Sequence, residues 1–137
     1  MQTTGNILNF CEVGLKISGV SPIIGQAILQ FSDTFVTSVT VANTESHTVA
    51  FLGTNNGVIK KVLLSGAEAF VYESVTVDKG QKLLPDTLIS PDGEYIYALS
   101  TSRISKVKVE HCSGYTNCSS CLDAKDPYCG WCSLEKR

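Results

Sequence analysis

Residues 47–62 read His-Thr-Val-Ala-Phe-Leu-Gly-Thr-Asn-Asn-Gly-Val-Ile-Lys-Lys-Val, and the fold follows from them. Residues 48–52 (TVAFL) form a continuous apolar run, the pattern of a strand covered on both faces. Gly53-Thr54-Asn55-Asn56-Gly57 is rich in residues that tolerate positive φ and so turns tightly, and the chain returns through 58–64 (VIKKVLL). Strand, turn and strand make an antiparallel hairpin with a buried inner member.

The pattern extends in both directions. Upstream, residues 35–41 (FVTSVTV) are rich in β-branched side chains and read as a strand, followed by a turn cluster at 43–46. Downstream, 65–66 turns again, and 70–77 (FVYESVTV) alternates with period two. Because that segment carries Glu73, it suits an outer, half-solvated strand. Then the order repeats: a strand at 86–90, a turn at Pro91-Asp92-Gly93, a second buried inner strand at 95–99 (YIYAL), a turn at 100–102 and an alternating strand at 103–109 (RISKVKV). Val49-Ala50-Phe51-Leu52 corresponds to Tyr95-Ile96-Tyr97-Ala98 at a shift of 46, and Val62 to Val107 at a shift of 45. Blades of β-propellers repeat at roughly this spacing, about 40–50 residues. A single antiparallel meander or sandwich is the other architecture the pattern allows. The propeller reading gives two blades in meander order. The second holds three strands and ends near Val109; in closed propellers a strand from the beginning of the chain completes such a blade and removes two exposed edges. Residues 1–34 carry five turn-favouring positions, Gly5, Gly14, Gly19, Pro22 and Gly25, and read as mostly irregular, with short strands expected around 14–17 and 28–31.

Bulk properties narrow the function. Of 137 residues, 43% are apolar and 18% charged, as in a folded globular chain. Eleven basic against 13 acidic residues leave a net charge of −2, and no Lys/Arg cluster exists to neutralise a run of phosphates, so nucleic acid is not an expected partner. The apolar stretches are short and broken by Gly, Ser or Lys, too short to span a bilayer, and Met1 is followed by polar Gln-Thr-Thr-Gly rather than a secretory leader.

Five of the six cysteines lie close together: Cys112, Cys118, Cys121, Cys129 and Cys132. Such density means disulfides outside the cell or a metal site inside it. Zinc could use the C-x2-C pairs Cys118/Cys121 and Cys129/Cys132, but the seven residues between the pairs are fewer than ribbons or fingers use, and Cys112 would have no role. Cys129-Gly-Trp-Cys132 has the form of a thiol–disulfide oxidoreductase motif. That chemistry needs a helix behind the first thiol, and only five residues follow the motif. A structural disulfide framework is the strongest reading. Asp126-Pro127 makes a turn, Gly130 permits a close backbone approach, and Trp131 adds apolar area to a very small core. A disulfide framework without a leader is expected of a piece of a longer secreted chain.

Cys112-Ser-Gly-Tyr-Thr-Asn-Cys118-Ser-Ser-Cys121, followed by Asp126-Pro-Tyr-Cys-Gly-Trp-Cys132, resembles the opening of a PSI (plexin–semaphorin–integrin) domain. The CGWC ending is similar to plexins and their receptor-kinase relatives, and residues 37–41 and 47–62 resemble the penultimate-blade signature of plexin sema domains. The resemblance covers about residues 20–137. It implies an all-β chain: the last blades of a seven-bladed sema-type β-propeller over residues 1–110, then a truncated, small disulfide-rich PSI domain over 111–137. It further implies a single-pass cell-surface receptor for semaphorins, active in guidance and adhesion, with this piece on the extracellular side of the plasma membrane. In such a receptor the propeller binds ligand and the stalk passes orientation to a cytoplasmic GTPase-regulating region. Membrane attachment would come only from a downstream span, and a receptor oligomer fits the same picture. Ligand contacts in the family lie mainly on earlier blades, so no ligand-binding residue is assigned. A growth-factor-receptor kinase or adhesion receptor with the same sema–PSI layout is the alternative. No cofactor or metal is implied.

The resemblance also implies a pairing. In PSI domains of this type the first cysteine joins the fourth, which carries over to Cys112 with Cys129, with Trp131 packed beside the bridge. The second, third and fifth cysteines pair with later ones, so Cys118, Cys121 and Cys132 are expected to find their partners beyond Arg137. Cys11 is either a buried thiol or paired with a cysteine upstream. Asn117-Cys118-Ser119 has the form of a glycosylation sequon and makes Asn117 a candidate acceptor. His47 and His111 have no ligand set at metal spacing and read as solvent-side turn residues. Asp92-Gly93 reads as a hairpin turn, and no Ser-His-Asp or paired-carboxylate motif argues for an enzyme.

Overall fold

The computed structural model describes residues 21–135. Two antiparallel meanders account for its strands. The first sheet is β1 (Val36–Asn43), β2 (Thr48–Thr54), β3 (Val58–Ser65) and β4 (Glu68–Thr76), in that order across the sheet; the second is β5 (Leu83–Ile89), β6 (Tyr95–Ser100) and β7 (Ile104–Lys108). The second meander is thus three-stranded, with Val109 just past its last strand. Residues 28–31 form no strand, contrary to expectation, and run as irregular chain. The expected strand at 14–17 and Cys11 lie outside the described residues.

The hairpin at the centre of the sequence argument is in place. Val49, Ala50 and Phe51 on β2 are buried, with Val49 opposite Leu63 and Phe51 opposite Lys61 on β3. Gly57 closes the turn at φ +81°, and a Cβ there would overlap the carbonyl oxygen of Asp78, so the position requires glycine on two counts. β6 departs from the expected fully buried strand. Ile96, Ala98 and Ser100 are buried, while Tyr95, Tyr97 and Leu99 are only half-buried, an alternating pattern. The tyrosines give the run its apolar look, but their rings are half-buried and carry the Lys106 ammonium, 3.7 Å from the Tyr95 ring centre and 6.0 Å from that of Tyr97.

The core lies between the sheets: Val49, Phe51, Ile59, Leu63, Leu83, Ile96, Ala98 and Val109 form one cluster. Polar contacts tie the two sheets together through β1 and β5. Thr87 Oγ1 donates to Ser38 Oγ at 2.7 Å in a buried position. Asp78, in the connection from β4 to β5, accepts hydrogen bonds from Ser100 Oγ (2.5 Å) and Ser102 Oγ (2.9 Å) and pairs with Arg103 at 3.3 Å, so the inter-sheet connection is clamped to the β6–β7 turn. These partners, Ser100 first, hold the Asp78 carboxyl below its ordinary pKa. The Asp92-Gly93 segment is the hairpin turn that was read from sequence, with Gly93 at φ +77° and Ser90 Oγ donating to Asp92.

Candidate functional site

β3 carries two adjacent lysines with opposite fates. Lys60 points to the outer face, its ammonium 5.1 Å from the Phe31 ring centre. Lys61 falls in phase with Ile59 and Leu63 and is 1% exposed. A cation in such a place must be paired and hydrogen-bonded. Glu73 on β4 supplies the counter-charge at 2.6 Å, and Lys61 Nζ also donates to the carbonyl of Val109 at 2.9 Å. A bulge on β4 makes this possible. Lys61 pairs with Glu73 and Val62 with Val71, so Tyr72 is the extra residue. The bulge turns Tyr72 toward the core and leaves Glu73 opposite the lysine. Glu73, read from sequence as a mark of solvation, is instead the partner of a buried charge, because the bulge breaks the period-two alternation.

Val109 is where the second sheet ends and the cysteine segment begins, so Lys61 grips the start of that segment from within the first sheet. His111 follows; it is 65% exposed, as expected, yet its Nδ1 lies 3.6 Å from Glu73. Glu110 accepts from the Cys112 backbone N–H at 2.6 Å and pairs with Lys108 at 2.9 Å. The segment then folds as a 3-10 turn at Cys112–Gly114 and a short helix, α1 (Cys118–Ala124), which sequence reading did not anticipate. Asn117 caps α1 by accepting from the Ser120 N–H at 2.9 Å, and Lys125 ends it in the left-handed conformation at φ 54°. Cys112 and Cys129 are joined in a disulfide across a sequence separation of 17.

Docking onto the sheets uses Asp126 and Tyr128. The Tyr128 ring stacks on Phe51 with centroids 6.5 Å apart, and its N–H donates to Asp126 Oδ1 at 3.0 Å. Asp126 is buried, and its Oδ2 has no hydrogen-bond partner among the described residues. Burial raises its pKa, and the Tyr128 N–H and the Lys61 charge oppose that rise. Tyr72 also has a buried, unpartnered hydroxyl and is pushed well above the usual phenol range, by burial first and then by Asp126. Buried Cys121 lines a cavity of about 330 Å³ together with Leu63, Phe70, Leu122 and Pro127. Trp131 is half-buried and stands outside the core cluster; the aromatic that joins the core is Tyr128, which sequence reading passed over.

The other cysteine chemistries lose their central atom. Cys129 is bonded to Cys112, so it has no thiolate to attack a disulfide with Cys132 and none to complete a set of four around zinc. Cys118 and Cys132 are exposed thiols and Cys121 a buried one. No helix among the described residues is long and apolar enough to cross a membrane.

Residues 5–91 match the Sema domain. The chain belongs to the Sema domain family. Residues 111–137 match the PSI family, described as the plexin repeat. Relatives of this Sema–PSI chain include plexins: it is 40% identical over 140 residues to plexin-A3 of Rattus norvegicus, covering all of this chain and 7% of that protein, and 37% identical over 122 residues to plexin-B3 of the same species, covering 88% and 6%. The chain therefore spans only about 7% of the length of its plexin-A3 relative. Among solved structures it is similar to the full extracellular region of plexin A4, with a TM-score of 0.79 and 32% identity over 85% of this chain and 12% of that one. Drosophila Plexin A, solved in complex with Semaphorin 1b, shares the fold at a TM-score of 0.64 and 22% identity, covering 72% of this chain and 22% of that one.

Proposed function

We propose that this chain is an extracellular segment of a plexin-type cell-surface receptor for semaphorins, and that its own task is to hold the first stalk module rigidly against the end of the propeller. Residues 1–110 belong to the propeller in this reading, since β6 and β7 continue the second sheet beyond the Sema match, and 111–137 belong to the stalk module. The observation that carries it is the buried Lys61, which binds β4 and the first residue after β7 at once, three residues before the Cys112–Cys129 staple begins. A receptor that passes orientation from ligand to stalk needs such a fixed joint. The test uses the ectodomain that contains these residues. Semaphorin ectodomain should bind it, and Lys61→Met should leave that affinity intact while widening the spread of propeller–stalk angles seen by electron microscopy. Absence of binding across a semaphorin panel, with binding to a growth factor instead, would favour the receptor-kinase alternative; an unchanged spread of angles would remove the joint.

A further inference from the structure

Asn117-Cys118-Ser119 is left over once the joint is built: it packs nothing and pairs nothing across the modules. All three residues are exposed. Asn117 has extended backbone angles, φ −151° and ψ 162°. Its Oδ1 accepts from the Ser120 N–H, while its Nδ2 carries no hydrogen bond among the described residues. We propose that Asn117 is an N-glycosylation site, taking an oligosaccharide from a lipid-pyrophosphate donor in the secretory lumen. In that transfer the bond between the anomeric carbon of the first sugar and the pyrophosphate oxygen breaks, a bond from that carbon to Nδ2 forms, Nδ2 loses one proton, and the lipid pyrophosphate leaves.

The geometry fixes the order of events. In the folded chain Ser119 Oγ donates to Asp123 at 3.1 Å and the Asn117 carbonyl oxygens are engaged by Ser120, so the sequon is not presented as a flexible acceptor once α1 exists. Transfer precedes helix formation. Afterwards the glycan is compatible with the fold, because an N-linked asparagine keeps its Oδ1 and therefore its cap to Ser120. The sequon's middle residue is the exposed Cys118, which places the sugar beside a thiol and gives the site a competitor, since early disulfide formation at Cys118 would withdraw the acceptor.

The proposal rests on the extracellular reading, and the experiment separates the two. The full chain is expressed in mammalian cells behind a heterologous leader, so it enters the lumen whatever its native address, and both secreted and retained material are examined. Peptide N-glycosidase in heavy-oxygen water should lower the mass of the chain and convert Asn117 to a labelled Asp. Ser119→Ala should abolish the shift; Asn117→Asp should abolish it too while keeping an N-cap acceptor, so a shared loss cannot be blamed on misfolding. Cys118→Ser should raise occupancy. A chain that reaches the lumen with Asn117 unmodified overturns the site and leaves the receptor reading, tested by semaphorin binding, untouched.

Discussion

Replacing Lys61 with Met should loosen the stalk module from the sheets. The side chain is 1% exposed, and its ammonium is held by Glu73 at 2.6 Å and the Val109 carbonyl at 2.9 Å. Removing one partner of a fully buried pair costs about 3–5 kcal/mol. Glu73 is 23% exposed, so water offsets part of the loss and the lower end, about 3 kcal/mol, applies. At about 1.4 kcal/mol per decade this is on the order of a hundredfold in the opening equilibrium. In the 137-residue chain, where both are thiols, Cys121 reports it, being 5% exposed, while the exposed Cys118 is an internal reference in the same molecule. Site-resolved labelling with a dipyridyl disulfide, which reacts in acid as well as at neutral pH, should show the Cys121-to-Cys118 rate ratio rising about a hundredfold in the variant. The pH dependence has a definite sign. Asp126 is held above the usual carboxylate range by burial, and the variant removes the Lys61 charge that pulls it down. An acid with a raised folded pKa loses stability as pH rises through the window above its unfolded value, so the deficit should shrink in acid and grow toward neutrality. An unchanged ratio in soluble, folded variant, or a deficit largest in acid, would mean that Lys61 does not hold the cysteine segment to the sheets.

Gly57→Ala should cost more than about 3 kcal/mol, since a left-handed L-residue loses about 1–2 kcal/mol and the new Cβ also overlaps the Asp78 carbonyl; yield of soluble chain and its denaturant midpoint read this. Asp78 has a depressed pKa, so it contributes stability above the unfolded carboxylate value that is lost as pH falls through the folded one; Asp78→Asn should flatten the acid limb of the stability profile. The chain alone should bind a hydrophobic dye, because Val39, Leu88 and Ile104 are 62%, 67% and 71% exposed on the outer sheet faces; absence of dye binding in dilute monomer would count against these faces being open.

Residues 48–52 and 58–64 were legible because an apolar run, a glycine-rich turn and a return leave one sensible pairing. The same logic overreached at 95–99: Tyr95 and Tyr97 have apolar bodies that satisfy a buried pattern, yet a lysine over the rings serves them as well. Lys61 was placed on the returning strand 58–64 but not singled out, because a lysine is ordinarily solvated; its phase with Ile59 and Leu63 was the available signal. The Tyr72 bulge has no mark in the sequence, and with it went the role of Glu73. The helix α1 is too short, and too rich in Ser and Cys, to announce itself by propensity. Asn117 ahead of it was the one capping clue. The cysteine spacing by itself left three chemistries open, and only the resemblance pointed to a pairing.

Peptide mapping of the 137-residue chain under non-reducing conditions, with free thiols alkylated first, tests whether the cysteine segment is held by a structural staple. One linked pair is expected, Cys112 with Cys129, with alkyl groups on Cys118, Cys121 and Cys132. A Cys129–Cys132 link would contradict it and return the dithiol chemistry to the segment.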